Sequence, residues 1–423
     1  ASPALAHSVH VDVTGLTPAT EYFYRFMVGP EVSPVGRTRT APAAGAAVDS
    51  VRFAFTSCAH YEHGYFMPYR HIAEQRYDVV FNLGDYIYEM EPGGYSVYDD
   101  DAPRRFSGGQ LLDLSLFRNR HALYKTDVDL QAAHASAPWV VTWDDHETEN
   151  DYAGLVREDP RDQTGFPDLV AAAYQAYYEH MPLRASSMPQ GPNMQLYRRI
   201  QWGNLAEFQV LDGRQYRSDQ PCGEGTYVRC PASYDPSTTM LGPDQERWLL
   251  GNLENSTSTW NVLAQQTQMV NLEQGGGEED EFYNDSWPGY PEARNRILSH
   301  VMSRGIENLT VLTGDIHCHW ANNLLADWQD ASSQVLGTEF ICSSVTAGGS
   351  EDVSDFFREY ITDENPGIRW FDGRHGGYTS VEATPERWTA DYWQVDDMRD
   401  ENTPISVINT LVTEAGNPGI VQG

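Results

Sequence analysis

Three short segments place acidic and histidine residues directly after apolar runs, a pattern that can build a metal-dependent hydrolytic centre. In NLGDYIYE, Asp85 follows the run VVFNLG, Gly84 permits a tight exit, and Tyr88 stands two residues beyond the aspartate's neighbour. One turn after a strand brings both side chains to a common point. A carboxylate there can bridge two metals, and a phenolate is a hard anionic ligand suited to ferric iron. GDxxY alone also fits a capping aspartate beside a packed tyrosine. In VVTWDDHETENDYAG, Asp144, Asp145, His146 and Glu147 are consecutive. Charge at that density costs desolvation unless it is paired or binds a cation; a solvated loop with a helix N-cap is the other reading. His146 is of the right type to donate a proton to a leaving oxygen. In LTVLTGDIHCHW, Asp315 and His317 sit two apart, so in extended geometry both reach one bimetal site, and His319 continues that parity. A fourth segment, FQVLDGRQYRSDQ, offers Arg214. Its fork suits a phosphate group, and equally a surface ion pair with Asp212 or Asp219.

The chain has five cysteines, an odd number. Cys222 and Cys230 bracket CGEGTYVRC, a short glycine-containing loop that a disulfide can close. Cys318 and Cys342 lie in strand-like segments, TVLTGDIHC and TEFIC, and neighbouring strands allow them to pair. Cys58, in FAFTSCAHY, is then left over. Such a thiol is either buried and inert or held as a thiolate by a metal.

Seven apolar runs must position these groups: VRFAFTS, YDVVFNLGD, PWVVTWDD, LAEFQVLDGR, TWNVLAQQ, LTVLTGDIH and GTEFICSSV. Most end in a polar or acidic residue where the chain leaves the sheet. Between them, QLLDLSLFRNRHALYKT and PDLVAAAYQAYYEHM have apolar residues at helical spacing. A layered α/β fold follows, with ligand groups at the carboxyl ends of its strands. Before it, HSVHVDVTGL and EYFYRFMV alternate like strands, and GLTPATEYFYRF resembles the tyrosine-corner region of a fibronectin-like β-sandwich. Residues 1–44 have room for only part of such a sandwich, so this portion reads as truncated. Ala41 to Ala47 reads as the linker to a second domain, 50–423. GGGEEDE and SEDVSD look like loops, and TEAGNPGIVQG like a loose tail.

Composition narrows the partners. Of 423 residues, 40% are hydrophobic, enough for a sizeable core, and the net charge is −33. That balance argues against a duplex nucleic-acid groove; acidic residues can concentrate hard cations such as calcium, but most of them read as the charged surface of a secreted protein, and only a few need be ligands. No run approaches the roughly 18–20 apolar residues of a transmembrane segment. ASPALAHSVHVDV lacks the charged and apolar regions of a signal peptide.

Taken in order, FTSCAHYEHGYF, NLGDYIYE, VVTWDDHETENDYAG, LDGRQYRSDQ, LTGDIHCHW, SSVTAGG and GYTSVEATPERW resemble the PhoD-like alkaline phosphatases and phosphodiesterases. These belong to the calcineurin-like metallophosphoesterase superfamily, and the similarity spans Val51 to Val395. The resemblance implies a two-sheet sandwich flanked by helices, and a centre of one ferric ion with one or two calcium ions. Compared with related purple acid phosphatases, Cys58 stands at the first aspartate, and Asp85 and Tyr88 match GDxxY. Asp145 and His146 take the Asn and His of GNHE, and Asp315 and His317 the histidines of GHxH. The implied metal ligands are therefore Cys58, Asp85, Tyr88, Asp145, Asp315 and His317, with His146 and Arg214 acting on the substrate. Gln265 stands where the purple enzymes have a histidine, and its role, like that of His319, stays open. The implied activity is hydrolysis of phosphate monoesters or diesters by a secreted bacterial protein exported folded. Iron- and calcium-dependent phospholipases D without HKD motifs resemble the same pattern, so choline phospholipids are the alternative substrate. A non-catalytic binding module is the reading from a different class.

Overall fold

Period-two alternation decides how the central strands are buried. In Val51–Thr56, Val51, Phe53 and Phe55 enter one core and Ala54 another. In Trp260–Ala264, Trp260, Val262 and Ala264 join the same core as those three, and Leu263 joins a separate one. Side chains at i and i+2 share a face, so strands apolar on both faces must be covered on both. The computed structural model describes residues 1–423 except 96, 98–100, 159–162, 276–278, 349–356 and 359–363. It covers those strands by packing two seven-stranded sheets against each other, with helices outside.

One sheet has the order Asn417–Gln422, Ile405–Glu414, Arg387–Val395, Gly376–Ala383, Val51–Thr56, Val79–Asn82, Trp139–Val141. The other has the order Ile368–Asp372, His319–Leu325, Val335–Ile341, Leu309–Thr313, Trp260–Ala264, Ala206–Val210, Arg198–Trp202. The seven apolar runs all form strands, and they are the parallel neighbours within each sheet. Parallel strands send their carboxyl ends to one edge. An isolated bridge between Ser57 and Ser344 joins the two sheets there. Met67–Gln75, Leu114–Tyr124, Val128–Ser136 and Phe166–His180 cover the first sheet, and Gly242–Asn255 and Pro291–Arg304 the second. No described helix is long and apolar enough to cross a membrane.

Near the N-terminus, Glu21–Tyr24 pairs with Gly36–Arg39 and Met27–Val28 with Glu31–Val32. The Thr17 N–H donates to the Tyr22 hydroxyl at 2.9 Å, the contact of a tyrosine corner. HSVHVDV is not a strand. Val9, Val11 and Val13 are largely exposed, and no strand pairs with them among the described residues. Alternation without a partner ladder does not hold a strand. Ala41 to Ala47 is docked rather than free: the Gly45 N–H donates to the Gly203 carbonyl at 3.3 Å, and the Asn204 N–H to that of Ala46 at 2.9 Å.

Three further expectations change. TEAGNPGIVQG is no loose tail, because Asn417–Gln422 pairs with Ile405–Glu414 around a turn in which Gly416 has φ 74°. Glycine adopts that conformation without a Cβ clash, and the Ile420 N–H then donates to Asn323 Oδ1 of the facing sheet at 3.0 Å. Cys318 and Cys342 do not bond; both are free and buried. Trp320 pairs with Ile341, so the register sets His319, not Cys318, opposite Cys342. Residues one apart point to opposite faces, which sends Cys342 between the sheets and Cys318 outward against Leu272 and Trp320. GGGEEDE is a loop only in part, since Glu281 opens the strand Glu281–Tyr283, while its residues 276–278 and all of SEDVSD lie outside the described residues. Cys222 and Cys230 form the expected disulfide.

Gly84 lets two strand ends approach each other. Its φ is 120°, and a Cβ there would lie 2.4 Å from the Cβ of Asp144. Gly84→Ala therefore forces Asp85 and Asp144 apart. The expected cost is about 2–3 kcal/mol from overpacking and backbone strain, read by chemical denaturation. Bound metal per chain, read by elemental analysis, falls with it. Unchanged values of both would show that this close approach does not position the two acids.

Candidate metal centre

Left-handed backbone, rather than strand parity, gathers the candidate ligands. Cys58, Asp85, Asp315 and His317 lie just past the ends of their strands, with φ of 59°, 51°, 65° and 56°. Non-glycine residues avoid this region because Cβ crowds the following carbonyl. The expectation that Asp315 and His317 share one face of an extended strand is thereby corrected. The strand ends at Thr313, and the two side chains go to different ends of the cluster. His319 lies away from it: its Nδ1 accepts the Ser343 N–H at 2.9 Å and its Nε2 is 3.2 Å from the Trp393 carbonyl. Gln265 braces the fold, donating to Thr313 Oγ1 at 2.7 Å and accepting from Trp287 Nε1 at 2.9 Å.

At one end, ligand atoms of Cys58, Asp85 and His317 all lie within 4.8 Å of one another. Tyr88 closes this group, its hydroxyl 3.2 Å from Asp85 Oδ2 and 3.2 Å from His317 Nε2. Asp85 also belongs to a group with Asp145 and His146, and Asp145 to a third group with Asp144 and Asp315. The six implied metal residues thus converge from distant parts of the chain. Thiol, phenol and imidazole are at one end and carboxylates at the other. Asp144 joins them, as do Asp151 and Asp285, which form a fourth group with Asp145.

Several residues with no role assigned from sequence hold this set in place. Glu147 accepts backbone N–H bonds from Asp85 at 3.1 Å, Tyr86 at 2.5 Å and Asp144 at 2.9 Å, so one carboxylate ties two strand ends together. Glu89 accepts the Asn150 N–H at 3.0 Å and lies 2.8 Å from His146 Nδ1. Nε2 is then the His146 nitrogen left for other partners. The final acid of GDYIYE was the only trace of Glu89 in the sequence, and nothing there pointed to Asp285.

Arg214 is wholly buried. Its Nε donates to Asp144 and its Nη1 to Asp285 at 3.0 Å, while Nη2 is 3.6 Å from Asp145 and 3.9 Å from Asp315. This differs from both sequence expectations. No surface pair forms with Asp212, which accepts the Arg214 backbone N–H at 3.1 Å instead. Nor is the fork open: among the described residues Nη2 alone lacks a hydrogen bond, and the rest of the guanidinium offsets carboxylate charge. Arg217 pairs with Asp285 beside it.

Those two arginines leave much acid uncompensated. Burial holds the carboxyls of Asp85 and Asp315 well above their usual range and pushes Asp144 up to about 7. Burial, reinforced by the Asp85 charge, also raises the Cys58 thiol. Burial and the neighbouring His146 push His317 down to about 3. Burial pulls His146 down too, but Glu89, Asp145 and Asp85 outweigh it and raise the ring well above its ordinary value. Asp85 Oδ1 and Asp144 Oδ2 are buried without a hydrogen-bond partner among the described residues, an arrangement that is costly unless something else satisfies them. The residues fit bound cations. Clustered carboxylate oxygens suit a hard divalent ion, and a thiolate, a phenolate and an imidazole suit a transition metal.

Comparison with known proteins places the chain. Residues 53–392 match the model of the PhoD-like phosphatase, and residues 1–42 that of the PhoD-like phosphatase N-terminal domain. Alkaline phosphatase D of Bacillus subtilis (strain 168) is 46% identical over 420 residues, which is 99% of this chain and 72% of that protein. The solved structure of PhoD is 45% identical and superposes with a TM-score of 0.95, covering 99% of this chain and 80% of that one. With this fold, this order of segments and matches across nearly its whole length, the chain belongs to the PhoD-like phosphatase family.

Proposed function

We propose that the chain is a secreted phosphoric-ester hydrolase working with one ferric ion and one or two calcium ions. The observation that carries this is the convergence of Cys58, Asp85, Tyr88 and His317 with Asp144, Asp145 and Asp315 in one buried cluster graded from soft to hard donors. Cys58, Tyr88 and His317 would hold iron, Asp145 and Asp315 calcium, and Asp85 both. Bound there, the cations supply Lewis-acid polarisation of a phosphoryl group and activation of water. The name of the Bacillus subtilis relative supports phosphate esters as the substrate class.

The chain's own groups do the rest. Glu89 fixes the His146 ring through Nδ1, so Nε2 can meet the leaving-group oxygen or a phosphoryl oxygen. Arg214 keeps Asp144 and Asp285 in place and presents Nη2 as a fixed donor, the kind of pre-set dipole that stabilises developing negative charge. The Cys222–Cys230 disulfide supports an oxidising compartment.

Asp85→Ala tests the centre directly. It is expected to remove bound metal and to lower kcat/KM by roughly 10³-fold or more, about 4 kcal/mol in the barrier. Elemental analysis and hydrolysis of bis-p-nitrophenyl phosphate read the two effects, and a variant with full metal content and normal turnover refutes the assignment. Chelation with EGTA should abolish activity and added calcium restore it; undiminished hydrolysis in EGTA takes calcium out of the mechanism. Glu89→Gln is expected to keep the metals and KM but lower kcat by about 10–100-fold, because the ring is no longer held. Equal loss of metal content would make Glu89 a structural support for the cluster instead. Comparing phosphatidylcholine with the nitrophenyl esters separates lipid cleavage from general ester cleavage.

A further inference from the structure

A second cluster of basic groups lies outside the candidate metal centre. Arg229, at the end of the disulfide loop, and Arg294, on the helix Pro291–Arg304, line one cavity of about 290 Å³ together with Tyr234, Asp280, Asn295 and Trp328. Arg294 is only 3% exposed. Its Nε donates to the Met269 carbonyl at 2.6 Å, and its Nη2 has no hydrogen-bond partner among the described residues. Arg229 donates to the Pro288 carbonyl at 2.8 Å and to Asn271 Oδ1 at 2.9 Å, and its guanidinium lies 3.6 Å from the centre of the Phe282 ring. The acid at the cavity wall, Asp280, accepts from Gln329 at 3.2 Å.

These arginines differ from Arg214 and Arg217, which carboxylates surround. Here two guanidiniums share a cavity in a chain of net charge −33; their hydrogen-bond partners are neutral carbonyl, amide and phenol oxygens, and Asp280 beside Arg229 and Glu339 beside Arg294 offset their charge only in part. Burial pushes both down to about 10, and the charge of Arg229 adds to the effect on Arg294. Placing like charges together out of water is unfavourable unless an anion joins them. A pair of arginine forks with an unused N–H matches a tetrahedral oxyanion, which accepts several such bonds at once. The amide of Asn295 adds a neutral donor at the cavity wall, where the Tyr234 hydroxyl accepts from Arg229.

We infer that the Arg229–Arg294 cavity is a second anion site that binds a phosphate group, either free phosphate or the diester link of a longer molecule. Asp285, which binds Arg214 and Arg217, and Pro288, which binds Arg229, belong to one short segment joining the two regions.

Calorimetric titration of the metal-replete protein with inorganic phosphate tests it. Phosphate at the ester-cleaving centre is read separately, as competitive inhibition of bis-p-nitrophenyl phosphate hydrolysis. Asn295 is an exposed helix position, so Asn295→Glu sets a negative charge at the cavity without disturbing the buried arginine. It is expected to weaken phosphate binding by about tenfold or more through like-charge repulsion, with hydrolysis and its inhibition unchanged. Asn295→Gln should bind as the parent does, and Arg229→Gln should lose affinity. Parent-like calorimetric affinity in both Asn295→Glu and Arg229→Gln overturns the site. Displacement of phosphate by dimethyl phosphate assigns the cavity to a diester link; no displacement assigns it to free phosphate.

Discussion

Six carboxylates meet at the carboxyl-end edge of the two sheets with too few positive groups beside them. Asp85, Asp144, Asp145, Asp151, Asp285 and Asp315 make up the groups found there, and among the described residues Arg214, Arg217 and His146 oppose them at close range. Removing this much charge from water is affordable only with compensation, and a partly compensated cluster is worse than an apolar core. The structure answers in two ways. Arg214 takes up Asp144 and Asp285, and Glu147 spends its own charge on three backbone N–H groups. Oxygens of Asp85 and Asp144 nevertheless remain without a hydrogen-bond partner among the described residues. Electrostatics of this kind argues for cations in the site more strongly than any single motif does.

The same demand explains the strained backbone. Cys58, Asp85, Asp315 and His317 adopt left-handed conformations, which persist only where the surroundings over-determine them. Around Cys58 they do: its N–H donates to the Gly84 carbonyl at 3.2 Å, and its carbonyl accepts from Ala347 at 3.0 Å. Glycines make room for the rest. A Cβ at Gly314 would lie 2.5 Å from that of Ser57, and one at Gly348 would lie 2.7 Å from His317 Nδ1. The strain therefore sits at the candidate ligands, and the close packing around it comes from residues such as Ser57, Gly314 and Gly348 that carry no ligand group in the cluster.

The fold was more legible in the sequence than the details of the cluster. Runs such as VRFAFTS and TWNVLAQQ announce strands because a strand buried on both faces needs apolar residues at nearly every position. Asp85, Asp145 and Asp315 were legible as acids placed where such strands end. What escaped notice depends on pairing between distant segments. Cys318 and Cys342 miss each other by one residue of register, which no spacing in the chain reveals. The two-residue turn at Gly416 turned an apparent tail into an edge strand. Glu147 reads as one more charge in a dense run, yet its carboxylate points back at backbone. Asp315 and His317 look like strand neighbours in the sequence and part company only because both residues are left-handed.

That parting has a consequence for the chemistry. If Asp315 and His317 had stayed on one extended face, the second sheet would have delivered an oxygen and a nitrogen to the same point. Instead His317 joins Cys58 and Asp85, while Asp315 joins Asp144 and Asp145. The second sheet thus contributes to both ends of the cluster, as the first does through Cys58 and Asp144. Asp85 and Asp145 are the members shared between adjoining groups, and both lie on loops of the first sheet. Relative sliding of the sheets would separate His317 from Cys58 and Asp315 from Asp145 together. The two ends are therefore built to form or fail as one unit, and the bridge between Ser57 and Ser344 that joins the sheets beside them is as much a part of the site as the donors themselves.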